Sequence, residues 1–263
     1  MNITGVLNKM LTENDSPIRY HLPFDNGIVD MNQLLGMKIK IRFDHYQCSV
    51  CGQDKEIYSM GCCKNCFFTS PYAGQWIIRP ELCTAHLGQA DRDLEVEAEA
   101  QLQPHIVYLA NSGNVKVGVT RKTAVPTRWI DQGAEYAICL AETANRYEAG
   151  LIEVALKQHL PDKTNFRKML KENAPVYDLV AKKQEMKEFV PQDLQHFILE
   201  DDEVIHLQYP IEAYPQKINS VNLKKNPVFE GVLKGIKGQY LMFDNNMVFN
   251  VRNHEGFAVD LTL

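Results

Sequence analysis

CSVCGQDKEIYSMGCCKNC, at residues 48–66, contains five of the seven cysteines in the chain. Cys48 and Cys51 form a C-x2-C pair, and Cys63 and Cys66 repeat the same spacing. A tight turn at each pair directs two thiolates at one cation, so two such pairs supply the four sulfur ligands of a tetrahedral zinc site. The pattern therefore predicts a zinc ribbon in which a structural Zn²⁺ is bound by Cys48, Cys51, Cys63 and Cys66.

Other assignments of the cysteines stay open at the level of sequence. Cys62 could replace Cys63 as a ligand, although C-x3-C is the less usual spacing. Cys83 and His86 could also supply ligands, but a lone Cys/His pair is more often part of the packing. An odd number of cysteines in a chain with no secretory signal argues against a disulfide framework. Buried free thiols are the main alternative to zinc.

The composition is typical of a soluble globular protein. Hydrophobic residues make up 45% and charged residues 23% of 263 residues, which suits two or three packed units. The N-terminal sequence MNITGVLNKMLTEND lacks a basic segment followed by an apolar one. No apolar run approaches the roughly 18 residues of a membrane helix. We therefore expect a cytoplasmic protein with no membrane partner, whose oligomeric state the sequence does not indicate.

The order of patterns predicts an α+β fold with four parts. Residues 1–46 are a β-rich N-terminal segment, in which MKIKIRF alternates apolar and polar side chains. Residues 47–100 hold the zinc ribbon and a connector, with a short helix at 93–103. Residues 101–175 form a mixed α/β unit, and residues 176–263 form a helical linker and a β-rich C-terminal segment. The two β-rich ends could form one barrel or sandwich together, or two small sheets.

The mixed unit at 101–175 has the clearest local signals. HIVYLA and NVKVGVT are strands joined by the turn NSGN, which predicts a β-hairpin. A short helix starts at Thr127 after Pro126, and YAICLAE is a third strand. RYEAGLIEVALKQHL is a helix that ends at Pro161, and residues 165–190 are mostly helical.

This order of hairpin, helix, strand and helix resembles the GIY-YIG nuclease fold over about a quarter of the chain. V-Y-L around Tyr108 is similar to the first motif of that family, and K-V-G-V-T, with Gly118, is similar to the second. EAGLIEVALKQHLP resembles the helix that carries the catalytic glutamate of the excision-repair branch, which makes Glu153 that glutamate. Arg128 falls where the family has an arginine on its first helix, and Asn165 falls where that branch has an asparagine.

Two positions depart from the family pattern. Lys116 stands where the second motif has a tyrosine, as it does in some phage- and restriction-associated branches. Val119 stands where the repair branch has a lysine. The resemblance thus implies a divergent member of the superfamily, joined to a zinc ribbon as in uncharacterised bacterial proteins.

The resemblance implies hydrolysis of phosphodiesters with Mg²⁺ or Mn²⁺. Glu153 would hold the cation, because magnesium is typically bound by one or two protein carboxylates. Arg128 would neutralise the scissile phosphate, and Tyr108 would orient or deprotonate the attacking water once a neighbouring cation lowers its pKa. Lys116 would add a positive charge, and Asn165 completes the implied catalytic set.

The distribution of charge predicts contact with nucleic acid. The formal net charge of the chain is -5, but residues 114–130 contain no acidic residue. Segregated basic residues create a local positive field despite a negative total. The expected nucleic-acid-binding residues are Lys116, Arg121, Lys122 and Arg128.

Two other functions remain open. The chain could be a noncatalytic, zinc-dependent binding module for nucleic acid or protein, or a structural protein. In either case Glu153 would be a solvated helix residue paired with Lys157 one turn later, and the basic stretch would be an ordinary solvated hairpin. Trp129 and Phe166 could stack on bases, although such aromatic residues more often belong to the core.

Overall fold

β-Strands form most of the regular structure in the computed structural model, which describes residues 2–24, 26–160, 165–172 and 175–263. The strands in chain order are β1 (Asn2–Val6), β2 (Leu11–Glu13), β3 (Arg19–Phe24), β4 (Gly27–Asp30), β5 (Lys38–Tyr46), β6 (Ile57–Ser59), β7 (Cys62–Cys63), β8 (His105–Asn111), β9 (Val115–Arg121), β10 (Tyr136–Thr143), β11 (Val204–His206), β12 (Asn219–Ser220), β13 (Val228–Lys237), β14 (Tyr240–Phe243), β15 (Met247–Asn250) and β16 (Phe257–Thr262).

Helices account for the rest of the regular structure. The α-helices are α1 (Lys64–Thr69), α2 (Leu94–Gln101), α3 (Thr127–Asp131), α4 (Arg146–Leu156), α5 (Phe166–Met169) and α6 (Leu179–Lys187). Short 3-10 helices lie at Met31–Leu34, Pro71–Ala73, Gln75–Ile77, Pro80–Leu82, Ala85–Leu87, Lys122–Ala124, Gln192–Phe197 and Arg252–His254. The prediction of a mixed α+β fold is confirmed, with β-structure predominant.

The chain divides into two compact units. Unit 1 comprises Met1–Phe68, Leu170–Glu172 and Leu207–Leu263. Unit 2 comprises Thr69–Met169 and Asn173–His206. The predicted zinc ribbon falls in unit 1, and the residues of the nuclease resemblance fall in unit 2.

The largest sheet of unit 1 joins the two ends of the chain. Its strand order is β1-β16-β5-β13-β14-β15-β12, and all neighbours are antiparallel except β12 and β15. Ile39 and Ile41 of β5 are buried while Lys38 and Lys40 are exposed, so the alternation predicted for this strand is confirmed. Because β1 pairs with β16, strands from both β-rich ends share one sheet. Strands β2, β3 and β4 form a second, smaller sheet in the same unit.

Unit 2 is built on a four-stranded antiparallel sheet with the order β11-β10-β8-β9. The predicted hairpin is confirmed, since β8 and β9 pair with Tyr108 opposite Gly118. Gly113 in the turn has φ +91°, a conformation that glycine adopts without strain. Residues Val204–His206 fall within the part predicted as a helical linker and a β-rich C-terminal segment. They pair instead with β10 of this sheet, where a further strand satisfies the backbone groups of the sheet edge.

Helix α4 packs its apolar face on this sheet. Ala149, Ile152 and Leu156 are fully buried in one cluster with Val107 and Leu109 of β8. Their spacing of three and four residues places them on one side of the helix, as predicted. The regular helix ends at Leu156, and the predicted stop at Pro161 lies outside the described residues.

Two further helix predictions had different outcomes. The short helix expected at 93–103 is confirmed as α2, whose first turn is capped by the Asp93 side chain accepting from the amide of Val96. The expectation that residues 165–190 are mostly helical holds narrowly. Of the 24 residues described in this range, 13 lie in α5 and α6, while residues 175–178 belong to no helix or strand and Asp178 caps α6. None of the described helices is long and apolar enough to cross a membrane.

His105 at the start of β8 is a fully buried ionisable side chain. Its Nδ1 lies 2.7 Å from the carbonyl oxygen of Gln103, and a carbonyl can only accept, so Nδ1 carries the proton. Nε2 is buried without a hydrogen-bond partner in the described structure. Burial lowers the pKa of His105 to about 4, and the positive charges of Arg146 and Arg121 act in the same direction.

We predict that stability falls as the pH drops from about 6.5 to about 4. The unfolded histidine binds its proton near pH 6.5 while the folded one stays neutral, so acid favours the unfolded state over this window. The contribution of His105 is on the order of 2–3 kcal/mol. Urea titrations at several pH values should show a smaller decline for His105→Asn, which keeps the donor to Gln103. Equal pH slopes for the two proteins would contradict the assignment.

Candidate metal centre and ionisable cluster

Four cysteine side chains of unit 1 converge as the sequence predicted. The sulfur atoms of Cys48, Cys51, Cys63 and Cys66, hereafter the cysteine cluster, all lie within 4.8 Å of one another. Four sulfurs placed 2.3 Å from a zinc ion at the corners of a tetrahedron lie about 3.8 Å apart. The observed spacing therefore fits a metal ion such as zinc.

The backbone explains why these thiols face one point. Gly52 follows the first pair with φ +66°, and its amide donates to the carbonyl oxygen of Cys48 at 2.8 Å. Gly61 precedes the second pair with φ +69°, where only glycine is unstrained. The amide of Cys63 donates to the Cys48 sulfur at 3.2 Å. Each pair is therefore held by a tight turn.

The pKa values of the cysteine thiols are also consistent with a bound cation. Burial opposes ionisation of Cys48, but hydrogen bonds from the backbone amides of Cys63 and of its own turn lower its pKa to about 6. Burial and the neighbouring thiols raise the pKa of Cys66 to about 12. Four thiolates at this separation repel one another, so a cation is needed for all of them to ionise.

The remaining cysteine and histidine candidates do not join this group. The Cys62 thiol donates to the carbonyl oxygen of Met60 at 3.3 Å. Cys83 belongs to unit 2, where it is buried beside Arg146 and burial raises the pKa of its thiol to about 11. The His86 ring stacks on Tyr147 with centroids 4.3 Å apart. The candidate zinc ligands are therefore the two C-x2-C pairs, and Cys62, Cys83 and His86 are not among them.

Two residues of the nuclease resemblance, Tyr108 and Gly118, face each other across the β8–β9 hairpin. Tyr108 is fully buried, and its ring lies over Gly118 on the neighbouring strand. A Cβ atom added at Gly118 would lie 2.6 Å from the Tyr108 hydroxyl oxygen. Only glycine leaves room for the tyrosine here, which explains why the two residue types occur together.

Polar groups from two helices surround the Tyr108 hydroxyl. The hydroxyl donates to the side-chain oxygen of Gln132 at 2.8 Å, and the positive charge of the nearby Arg128 acts on it. The charge of Glu153 on α4 also acts on it. Burial raises the pKa of Tyr108 above its ordinary value of about 10, and Arg128 only partly opposes this effect. We call Tyr108, Arg128, Glu153 and Arg146 the ionisable cluster.

Glu153 is buried rather than solvated, with 8% of its surface exposed. Burial raises the pKa of its carboxyl group, while the positive charges of Lys157 and Arg146 oppose the rise. The ion pair with Lys157 is present, with Nζ 3.3 Å from Oε2. Its angles are not those of a hydrogen bond, and Oε2 has no hydrogen-bond partner in the described structure. The pairing with Lys157 is therefore confirmed, but the solvated helix residue is not.

Arg146 is the member of the ionisable cluster that the sequence did not single out. It donates to the carbonyl oxygen of Ile77 at 2.8 Å and lies 5.8 Å from the centre of the Trp76 ring. Burial lowers the pKa of its guanidinium, and the charges of Arg128 and Arg121 lower it further. No local pattern marks Arg146, because its contacts join segments about 70 residues apart.

The other predicted catalytic residues are placed differently. Lys116 is 4% exposed and lies on β9 opposite Ala110, two residues before Gly118. Because alternate residues of a strand share a face, Lys116 lies on the same side of the hairpin as Gly118. Asn165 is exposed, and its side-chain oxygen accepts from the amides of Arg167 and Lys168. Its described side-chain contacts therefore lie within α5 and not in the ionisable cluster.

The predicted nucleic-acid-binding residues differ in how accessible their side chains are to a phosphate group. Arg121 and Lys122 are exposed, but Lys122 forms an ion pair with Glu142 at 2.8 Å. Trp129 is buried with its ring centre 5.8 Å from that of Tyr108, so it belongs to the core. Phe166 is half-buried. The acid-free stretch is therefore partly neutralised by an acidic residue from another strand.

Comparison with known proteins places most of the chain in one family. The model of a family described as a protein of unknown function, DUF2797, matches residues 36–259. The chain belongs to the DUF2797 family. The match spans the cysteine cluster and the ionisable cluster together. Neither curated proteins nor solved structures gave a match.

We predict one zinc ion per chain in protein purified without added metal, because the four thiols converge as zinc ligands do. Cys48→Ser should remove most of the zinc and lower the unfolding free energy by at least about 2 kcal/mol, since metal binding contributes to folding. Cys62→Ser is the matched control and should retain the zinc. Elemental analysis and urea unfolding measure both effects. A wild-type zinc content far below one, or its loss in Cys62→Ser, would contradict the assignment.

Replacing Gly118 by alanine should destabilise unit 2 by about 1–3 kcal/mol, because the new methyl group would overlap the Tyr108 side chain. In a strand without a positive φ, the same change would otherwise be mildly stabilising. In a Tyr108→Leu background the substitution should cost less than about 1 kcal/mol, which a double-mutant cycle measures. Additive effects of the two substitutions would show that the close approach is not the cause.

Proposed function

We propose that unit 2 is a divergent GIY-YIG-like endonuclease unit that cleaves phosphodiesters in nucleic acid with a divalent cation. In this proposal the cysteine cluster holds a structural zinc ion. The observation that carries the proposal is the convergence of three side chains. Arg128 and Glu153 both lie close enough to the Tyr108 hydroxyl for their charges to act on it. These are the residues to which the family resemblance assigns catalysis.

The balance of charge around the ionisable cluster supports an anionic ligand. Arg121 and Arg128 both lie close enough to Arg146 for their positive charges to act on it. Placing positive charges close together is unfavourable unless an anion lies between them. A guanidinium group offers a planar pair of donors that matches two phosphate oxygens. A backbone phosphate of nucleic acid fits this need in a chain whose total charge is -5.

Glu153 is the residue that would hold Mg²⁺ or Mn²⁺. Its oxygen Oε2 is buried and lacks a hydrogen-bond partner in the described structure, and a hard cation prefers carboxylate oxygen. When bound, such a cation would polarise the phosphate and stabilise the leaving oxygen. Arg128 and Lys116 would contribute positive charge to the same phosphate in this proposal.

Tyr108 would act as a positioning group and not as a base. Burial raises its pKa above the ordinary range, so the hydroxyl keeps its proton at neutral pH. That proton is donated to Gln132, and the positive charge of Arg128 acts on the oxygen. The hydroxyl would therefore help to position the Arg128 guanidinium. Deprotonation of water by Tyr108, one of the two roles expected from the resemblance, finds no support in this environment.

A noncatalytic binding unit is the second candidate, and burial favours it. Tyr108 is fully buried, and Glu153 is 8% exposed. The backbone of Pro80–Leu82 lies directly on α4 at Gly150, one turn before Glu153. A substrate would have to reach these groups past that segment. In this case the exposed Arg121 would bind phosphate without cleavage.

The deciding experiment is a cleavage assay on supercoiled DNA, single-stranded DNA and structured RNA with Mg²⁺ or Mn²⁺. We expect cleavage that is abolished by a chelator and lowered at least about 100-fold by Glu153→Gln, which removes the charge at nearly constant shape. Glu99→Gln, an exposed carboxylate of the same unit, is the matched control and should keep full activity.

The outcomes separate the two candidates. Binding that survives Glu153→Gln, with no cleavage by the wild-type protein, would establish the noncatalytic unit. Cleavage equally fast in Glu153→Gln would assign the activity to another site or to a contaminant. Neither binding nor cleavage of any of the three substrates would overturn both candidates.

A further inference from the structure

Glycine at position 150 lets a distant segment lie directly on α4. A Cβ atom added at Gly150 would be 2.4 Å from the amide nitrogen of Glu81 and 2.6 Å from the carbonyl carbon of Pro80. Glu153 follows three residues later, and residues three apart share one face of a helix. The backbone of Glu81 therefore lies against the face of α4 that carries Glu153.

Both glutamates have a buried carboxylate oxygen that accepts no hydrogen bond. Oε2 of Glu81 and Oε2 of Glu153 have no hydrogen-bond partner in the part of the chain that the structure describes. Glu153 as a whole is more than nine-tenths buried. Native proteins satisfy almost all buried polar atoms, and a bound ion is one explanation for an exception. Two such oxygens on adjoining segments point to one shared ligand.

Each of the two carboxylates also has a basic side chain beside it. Arg79 Nε lies 3.5 Å from the other oxygen of Glu81, Oε1. Lys157 Nζ lies 3.3 Å from Oε2 of Glu153 without hydrogen-bond geometry. The negative charge of Glu81 also acts on Glu153, adding to the effect of burial on its pKa. Two carboxylates that repel in a buried place are stabilised together by a cation between them.

We infer that Glu81 is a second carboxylate ligand of a hard divalent cation that it shares with Glu153. This inference rests on the proposed function, which assigns the cation to Glu153. Mg²⁺ and Mn²⁺ are the fitting class, because the donors are carboxylate oxygens and such ions keep several waters. The Glu81 side chain is 24% exposed, which gives the ion and its waters a path from solvent.

The inference gives the segment at Pro80–Leu82 a chemical role besides packing. A carboxylate from outside the nuclease-like residues would make cation binding depend on the position of this segment on α4. Arg146 reinforces that position, since it donates to the carbonyl oxygen of Ile77 in the preceding 3-10 helix. Cation binding and docking of the segment would therefore stabilise each other.

Terbium luminescence tests the site without any assay of activity. Tb³⁺ replaces hard divalent ions at oxygen ligands and emits when a nearby tryptophan is excited. The only two tryptophans of the chain, Trp76 and Trp129, both lie in unit 2. The full chain is loaded with zinc first, so that the cysteine cluster is occupied. We expect saturable emission that Mg²⁺ and Mn²⁺ displace, and an affinity lowered at least about tenfold by Glu81→Gln and by Glu153→Gln alike.

Two further variants sharpen the measurement. Glu99→Gln is the matched control and should leave the affinity unchanged, because its side chain is exposed. Glu81→Asp keeps the charge on a shorter side chain and should bind with an affinity between wild type and Glu81→Gln. Circular dichroism and thermal unfolding of each variant establish that it is folded. If Glu81→Gln fails to fold, Glu81→Asp and the competition by Mn²⁺ decide.

The results distinguish this inference from the proposed function. Loss of affinity in Glu153→Gln alone, with Glu81→Gln like wild type, would overturn the role of Glu81 and leave the proposed function standing. Loss in both variants without any cleavage by the wild-type protein would uphold the cation site and overturn the nuclease. No sensitised emission from wild type, or none that Mg²⁺ and Mn²⁺ displace, would overturn the site and the assignment of a cation to Glu153.

Discussion

The approach of the Tyr108 ring to the backbone at Gly118 is the contact on which unit 2 depends. The two residues face each other across the β8–β9 hairpin, and the distance from the Tyr108 hydroxyl to a Cβ on Gly118 would be 2.6 Å. The Tyr108 hydroxyl therefore lies beside the edge strand β9, near groups that belong to α3 and α4. It donates to Gln132, and the charges of Arg128 and Glu153 act on it. The absence of a Cβ atom at Gly118 thus makes room for a fully buried tyrosine at the centre of a polar cluster.

Burial determines the electrostatics of that cluster. It raises the pKa of Tyr108 and of Glu153 and lowers that of Arg146, so each charged form is disfavoured by its surroundings. Lys183 shows the contrasting case of a buried charge that is fully matched. It is 0% exposed, lies 3.0 Å from Asp202 and donates to the carbonyl oxygen of Asp201. Oε2 of Glu153 is less well matched, because it lies 3.3 Å from Lys157 but accepts no hydrogen bond in the described structure.

The cysteine cluster of unit 1 relies on a different constraint. Its thiols are brought together by turns at Gly52 and Gly61, whose positive φ values disfavour other residues. The same turns supply backbone amides to Cys48. A short segment with two strands and one small helix gains little from burial alone, so a bound ion would be its main source of order.

Local patterns in the sequence determined much of this protein. The two C-x2-C pairs identified the four sulfurs that converge, and the NSGN turn predicted the hairpin of β8 and β9. Apolar spacing identified the face of α4 that is buried. Each of these features depends on residues close in sequence.

Only the tertiary structure decided how distant segments meet. The pairing of β1 with β16 joins residues about 260 positions apart, and β11 leaves the C-terminal strands to pair with β10. The burial of Glu153, and the placing of Arg146 and Glu81 near it, result from the packing of Gln75–Ile77 and Pro80–Leu82 against α4. No periodicity or spacing encodes such contacts. They follow from the closure of long loops, whose outcome depends on the whole set of buried surfaces and not on any one stretch of chain.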